Sequence, residues 1–199
     1  MTIASIILAA GASTRLEGLP KQLLRQEGTT LIRRIADVAL SLQAGPVVVV
    51  LGANQNQIQP ELADLPVHLA FNDQWQTGMA SSLHVGLQAL WDEPVDAFLI
   101  LLTDQPFVSA DLLHQLIQAR QQTGRGIIVC RYGEPGNLGV PALFDIRYQE
   151  NFMQLRGDVG ARKLIQQHLS DCADVSFPLA TVDLDTQQDV EAWMRARVD

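Results

Sequence analysis

Short, mostly apolar runs alternate along this chain with segments in which apolar residues recur every three or four positions. The runs fall at 3–9, 46–51, 67–71, 97–102 and 126–130. The second contains Val47, Val48, Val49 and Val50 in succession, β-branched throughout. A short run with no polar alternation suits a strand covered on both faces, as in a parallel sheet. Between the runs lie helical patterns. Leu31, Ile32, Ile35, Val38, Ala39 and Leu42 fall on one face, and a helix carrying Leu112, Leu113, Leu116 and Ile117 on one side can be capped by Ser109. Gly78 to Leu83 reads as the opening of another helix. Strands alternating with helices predict a three-layer, doubly wound α/β fold with a mostly parallel sheet and right-handed crossovers. Ligands in such sheets bind outside the carboxyl ends of the strands.

The pattern weakens in the second half. Residues 131–145 hold Gly133, Pro135, Gly136, Gly139 and Pro141, and read as a turn-rich elaboration covering the open end of the sheet, where a second substrate would sit. No linker, repeat or low-complexity tract divides the chain, so residues 1–199 are expected to form one domain. A hydrophobic content of 47% suits a folded globular core.

Charge narrows the partners. The formal net charge of −8 argues against general binding to nucleic acid or to an anionic membrane. Segment 1–34 runs against that trend, with Arg15, Lys21, Arg25, Arg33 and Arg34 against only Glu17 and Glu27. An anion site is therefore expected near the N-terminus. Cys130 and Cys172 form no Cys-x-x-Cys motif and suggest no disulfide framework, which points to a reducing cytoplasm. The apolar run at 3–10 lacks a basic leader, and no run reaches the roughly 18 apolar residues of a membrane span.

The candidate chemistry begins where the first run ends. Leu8-Ala9-Ala10-Gly11-Ala12-Ser13-Thr14-Arg15 is a small-residue turn, followed by Pro20-Lys21-Gln22-Leu23-Leu24. Small residues let backbone approach a ligand closely, and successive N–H groups in such a turn cradle anions. Arg15 and Lys21 add the positive charge that a triphosphate needs. Asp104, in Thr103-Asp104-Gln105-Pro106, stands just past a buried strand, where a carboxylate can hold Mg²⁺ against phosphate oxygens. Asp183 and Asp185 lie two apart and could face one cation in an extended segment, while Thr186 and Asp189 read as a capping box for a final helix. Gly78, Ser81 and Ser82 at a helix start, with Asn72 and Asp73 upstream, could read a nucleobase edge.

Other readings fail on spacing. There is no Walker A sequence, no Gly-x-Gly-x-x-Gly and no Gly-x-Ser-x-Gly. His68, His84, His114 and His168 share no ligand spacing, and Trp75, Trp91 and Trp193 are scattered as packing residues would be.

The Ala-Ala-Gly-x-Ser-x-Arg order and the following Pro-Lys resemble the N-terminal signature of the MobA-like nucleotidyltransferases, and more narrowly the molybdenum cofactor cytidylyltransferase branch. The guanylyltransferase branch usually has Ala-Gly-Gly there, so Ala10 leans to the cytidylyl side. Thr103-Asp104-Gln105-Pro106 resembles the family's Asp-x-Pro, whose aspartate binds metal. Gly78 to Leu83 is similar to its Gly-x-x-Ser-Ser-Leu base segment, Gly139 to Phe144 to its Gly-x-Pro-x-Leu-Phe, and Gly157 to Arg162 to its Gly-Asp-x-Gly-Ala-Arg. The spacer from Leu16 to Pro20 is about one residue longer than the commonest version, and Val140 stands where many members of the branch carry histidine.

The resemblance implies a Rossmann-like nucleotidyltransferase fold. It also implies Mg²⁺-dependent transfer of CMP from CTP to molybdopterin or its molybdenum-loaded form, with release of pyrophosphate. Arg15, Lys21 and Asp104 would be catalytic, and Asp104 with Asp185 would hold metal. Leu8, Ala9, Ala10, Gly11, Asn72, Gly78, Ser81 and Ser82 would bind nucleotide; Gly139, Pro141, Asp158 and Arg162 would bind the acceptor. A client molybdoenzyme would receive the product. Two alternatives stay open: the same chemistry on a sugar, polyol or lactyl phosphate, and a non-catalytic protein that escorts a nucleotide-bearing cofactor to a molybdenum hydroxylase.

Overall fold

The computed structural model describes residues 1–13, 20–133 and 136–181. In chain order, the sheet strands are β1 (Ile3–Ala9), β4 (Val47–Leu51), β5 (His68–Phe71), β6 (Ala97–Leu102), β7 (Ile127–Tyr132), β8 (Asn137–Asp145) and β9 (Cys172–Ser176). A small hairpin, β2 (Arg25–Gln26) and β3 (Thr29–Thr30), precedes the first helix. The helices are α1 (Leu31–Ser41), α2 (Gln55–Ile58), α3 (Met79–Gln88), α4 (Ala110–Thr123), α5 (Gln149–Met153) and α6 (Ala161–Gln167).

The seven strands form one sheet in the order β5-β4-β1-β6-β8-β7-β9. Neighbours are parallel except where β8 lies antiparallel to both β6 and β7. The chain winds outward from β1 through β4 to β5, then returns to place β6 on the other side of β1. That reversal is the switch point of a doubly wound fold, and it opens at the carboxyl ends of β1 and β6.

The continuous apolar runs are explained by burial on both faces. Ile3, Ile7, Val47, Val49 and Leu51 pack into one cluster with α1 and α4 residues such as Ile32, Ile35, Leu113 and Leu116. The intervening Ala4, Ile6, Val48 and Val50 pack into a second cluster with α3 and α6 residues such as Leu83, Leu87, Leu164 and Ile165. Successive side chains point to opposite faces, so a strand between two helical layers is buried throughout, and even the polar Ser5 of β1 is only 2% exposed. Each fully buried Val, Leu or Ile contributes roughly 1.5–3 kcal/mol against the entropy of ordering the chain. α4 starts as its sequence predicts, with the Ser109 Oγ accepting from Leu112 N at 3.3 Å.

Two strands depart from the sequence expectation. Residues 137–145 are not a covering elaboration; β8 lies inside the sheet, with Ala142, Leu143 and Phe144 fully buried. Gly139 and Pro141 hide it from pattern reading. The register against β7 shifts between Val129 and Cys130, so Val140 and Pro141 fall in a bulge. A bulge is one of the few interior positions that tolerate a residue without an N–H. β9 is half exposed at the sheet edge and carries too little apolar alternation to be read alone. No helix among the described residues is long and apolar enough to cross a membrane.

Candidate active site

β1 and β6 run side by side and parallel, from the pair Ile3 and Ala97 to the pair Leu8 and Leu102. Their following loops therefore emerge at one edge. After β1 the chain passes through Ala10 to Ser13, and Lys21 to Leu23 then form a short 3-10 turn. Gln22 is the fastener between these pieces. It is 1% exposed, and its Nε2 donates to the carbonyls of Ala9 and Gly11, each at 3.0 Å. The Ser13 Oγ donates to the Gln22 Oε1 at 3.4 Å and accepts from the Lys21 N–H at 3.0 Å. One side chain thus holds two carbonyls, those of the buried Ala9 and the exposed Gly11. Sequence reasoning missed Gln22 because an amide reads as a surface residue. The available signal was alternation: Pro20, Gln22 and Leu24 are the buried positions of their segment.

Asp104 follows β6 and the buried Thr103. Its Oδ2 receives the Lys21 Nζ at 2.5 Å, with the two side chains only 14% and 19% exposed. Its Oδ1 is buried and has no hydrogen-bond partner among the described residues. A buried carboxylate oxygen left without a donor is costly, and a hard cation is the group that would satisfy it. Among the described residues no cluster of three or more His, Cys, Asp or Glu could hold a metal by itself. A divalent cation that also takes water and phosphate oxygens needs only one or two protein carboxylates. Next along the chain, the Gln105 Nε2 donates to the Val140 carbonyl at 3.0 Å. This contact ties the Asp104 turn to the β8 bulge and brings Gly139 and Pro141, both buried, to the same edge.

A cleft of about 540 Å³ opens beside this edge. Leu8, Ala10, Gly11 and Ala12 form one wall, Trp75 to Met79 and Ser82 the other, and Leu102 and Asp158 complete it. Two glycines set its shape. Gly78 has φ +110°, and a Cβ there would lie 2.3 Å from the Gly157 carbonyl carbon. Ala80 N donates to the Gly157 carbonyl at 3.1 Å, so the start of α3 rests directly on the turn bearing Asp158. A Cβ on Gly52 would lie 2.7 Å from the Ala10 carbonyl oxygen and 2.8 Å from the Ala10 Cβ. The Ala10 methyl is therefore lodged against backbone, with Ala53 N donating to the Ala10 carbonyl at 3.1 Å. Gly11 differs: a Cβ there would meet nothing within 4 Å among the described residues, and the residue is exposed.

The structure brings Leu8, Ala10, Gly11, Gly78, Ser82 and Asp158 together around the cleft. Ala9 lies beneath them, 1% exposed. Asn72 is also buried, and its polar atoms are engaged internally. Its Nδ2 donates to the Ser81 and Ser82 hydroxyls at 2.8 and 2.9 Å, and its Oδ1 accepts from Gln74 N at 2.9 Å. It braces the cleft wall rather than lining it. Ser81 faces a second depression of about 360 Å³ shared with Gln74, His84 and Arg156. Arg162 lines a third, of about 200 Å³, near Gly136 and Leu138, apart from the main cleft. Arg15, Asp183, Asp185, Thr186 and Asp189 lie outside the described residues.

Trp75 both packs on the core and walls the cleft, a role its scattered position did not disclose. Trp91 is 64% exposed and so is not the packing residue its type suggests. Burial pushes the Cys130 thiol up to about 12, which keeps it protonated and inert.

Residues 5–172 match the MobA-like NTP transferase domain family. The chain is 32% identical over 185 residues to nicotine blue oxidoreductase from Paenarthrobacter nicotinovorans, covering 87% of this chain and 89% of that protein. It is also 32% identical over 142 residues to the bifunctional protein GlmU of Coxiella burnetii (strain Dugway 5J108-111), but there it spans only 30% of the relative's length. Among solved structures, Rv0371c from Mycobacterium tuberculosis H37Rv superposes with a TM-score of 0.84 at 28% identity, covering 98% of both chains. That protein has also been solved in complex with manganese.

Proposed function

This chain belongs to the MobA-like NTP transferase family, and from that premise we propose that it transfers CMP from CTP to a phosphorylated small molecule, molybdopterin or its molybdenum-loaded form, releasing pyrophosphate. The observation that carries the reading is the Lys21–Asp104 pair, set beside a glycine-walled cleft with one Asp104 oxygen unsatisfied.

The reaction is an in-line displacement. An oxygen of the acceptor phosphate attacks the α-phosphorus, and the bond to the bridging oxygen breaks as pyrophosphate leaves. A phosphate oxygen is already anionic near neutral pH, so alignment and charge neutralisation are the main requirements. The open backbone at Gly11 lets the phosphates approach closely. Gln22 keeps that loop in register by holding two of its carbonyls. Lys21, and Arg15 beside it in sequence, would neutralise the leaving pyrophosphate. Asp104 would hold a divalent cation, Mg²⁺ in this reading, with Asp185 as a second ligand. Such a cation, when bound, supplies charge stabilisation to the phosphate oxygens; the manganese complex of the M. tuberculosis protein supports a divalent ion.

Trp75, Thr77, Gly78, Met79 and Ser82 would receive the base. Ala10 lines the cleft, and its place where the guanylyl branch usually carries glycine is the basis for favouring CTP over GTP. Asp158 and the Gly139–Val140–Pro141 bulge support an acceptor site on the adjoining stretch of the same edge. Delivery to a client molybdoenzyme would follow.

One observation favours a second reading. The relative covered over 89% of its length is named an oxidoreductase, so the cleft could instead serve a redox reaction. One experiment separates the readings. Purified protein is incubated with Mg²⁺, each nucleoside triphosphate in turn and a panel of molybdopterin, sugar, polyol and lactyl phosphates, and pyrophosphate is measured. Release with CTP and molybdopterin alone is expected. Release with another acceptor moves the substrate; nucleotide binding without release supports an escort; oxidation of a reduced nicotinamide without any triphosphate supports redox turnover.

A further inference from the structure

We infer that Lys21 is a counter-ion that reserves the Asp104 carboxylate for a divalent cation arriving with nucleotide, making the site selective against the free cation. The inference rests on the nucleotidyltransferase reading above and deepens it.

Three observations combine. First, the Lys21 ammonium lies directly on the Asp104 Oδ2 at 2.5 Å, in a setting where both side chains are mostly withdrawn from water. Second, the Asp104 Oδ1 is buried and unpartnered among the described residues, so the pair neutralises the carboxylate's charge without satisfying its oxygens. Third, no second acidic, histidine or cysteine cluster among the described residues stands ready to complete a metal shell. A free divalent ion approaching Asp104 meets an ammonium within a few ångströms, whatever further carboxylate Asp185 would supply. Like charges at that separation, away from bulk water, repel strongly.

A triphosphate reverses each disadvantage. It offers the ammonium several anionic oxygens, and it brings the cation with ligands already attached. The lysine stem has to move. The Lys21 N–H is held by the Ser13 Oγ at 3.0 Å, and Gln22 beside it is anchored to Ala9 and Gly11. The four-carbon side chain can swing from the carboxylate to a phosphate while this backbone stays in place. Nucleotide and cation then bind with positive coupling, and by linkage each raises the other's affinity by the same factor. An arginine would serve less well, because its planar fork grips a carboxylate at two points.

The test measures Mn²⁺ alone, by the electron paramagnetic resonance of the free ion, against the full chain without nucleotide. Lys21→Met, which keeps the stem and removes the charge, is expected to bind Mn²⁺ about tenfold more tightly than the wild type. Lys21→Gln should do the same, and circular dichroism checks that both fold. The double variant Lys21→Met/Asp104→Asn should lose the gain. Adding α,β-methylene-CTP should raise Mn²⁺ affinity more in the wild type than in Lys21→Met. Equal or weaker Mn²⁺ binding by both single variants would overturn the inference, as would a gain that survives in the double variant. Pyrophosphate release by the wild type reports separately on the transferase reading. Release without the Mn²⁺ gain removes the counter-ion role alone; the gain without release removes the transferase alone.

Discussion

Two aspartates, at opposite edges of the same sheet, each meet a basic side chain at 2.5 Å, and they have different uses. Asp104 stands at the carboxyl edge, after β6. Asp171 stands at the amino edge, just before β9. Asp171 is fully engaged. Its Oδ1 accepts from Gly126 N at 3.1 Å, and its Oδ2 accepts from the Arg147 guanidinium at 2.5 Å and from the Tyr148 hydroxyl at 2.6 Å. Burial works against its charge, but the hydrogen bonds from Tyr148, Gly126 and Arg147 outweigh it and hold the carboxyl below the usual carboxylate range. Burial, reinforced by the same carboxylate, pushes the Tyr148 hydroxyl up to about 12. Among the described residues, Asp104 has Lys21 on one oxygen and no donor on the other. A carboxylate whose oxygens are all answered by its own chain ties elements together. One that the fold leaves half answered is available to something that binds.

The largest expected effect breaks the pair at Asp104. Asp104→Asn should lower pyrophosphate release by about 10²–10³-fold, the scale of removing a transition-state charge stabiliser, while the unfolding midpoint stays within a few degrees. Release close to wild type from a folded variant would take Asp104 out of the reaction.

Gln22→Ala comes next. It removes the donor from the carbonyls of Ala9, which is buried, and of Gly11, which is exposed, and a buried acceptor left without a donor costs about 1–3 kcal/mol. A drop in kcat/KM of about tenfold or more is expected, with nucleotide affinity falling alongside, because the loop loses its register. Steady-state kinetics with calorimetric nucleotide titration checks this; unchanged values would make Gln22 a packing residue only.

Asp171→Asn should leave turnover at 25 °C near wild type but lower stability by about 1–2 kcal/mol, or a few degrees in Tm. The pH dependence sharpens the contrast. Because the folded carboxyl is held below its unfolded value, its stabilisation is present above the unfolded pKa of about 3.9 and is lost as pH falls through the lower folded value. Urea unfolding of wild type and variant should therefore converge in strong acid. A constant difference across pH would mean the charge is not what stabilises.

The smallest effect concerns the cleft wall. Ala10→Gly removes the methyl lodged against Gly52 and should narrow the preference for CTP over GTP by a few-fold, since a methylene-sized change in a pocket is worth about 1 kcal/mol or somewhat more. Competition binding of the two nucleotides measures it.

Most of the frame is legible in the chain itself. The valines of β4 and the run of β6 suit only strands covered on both faces, and Ser109 marks the start of α4 at its hydroxyl. The small-residue turn after β1 and the carboxylate after β6 are readable because the end of a buried strand fixes where the next few residues emerge. β8 is not, since Gly139 and Pro141 break its pattern and only a bulge against β7 explains them. Asn72 is ambiguous in kind: its amide could reach a base or brace a wall, and its bonds to Ser81, Ser82 and Gln74 are visible only in the tertiary structure.

By itself, then, the sequence determined the layers, the switch point and the small-residue loop that leaves β1, because apolar period and small-residue turns act within a few residues of chain. Tertiary structure alone decided that Lys21 meets Asp104, 83 residues away, that Gln105 fastens the β8 bulge beside them, and that Gly78 rests on the turn bearing Asp158. Those contacts depend on which strands become neighbours and in what direction, and a long-range pairing leaves no periodic trace in either of the segments it joins.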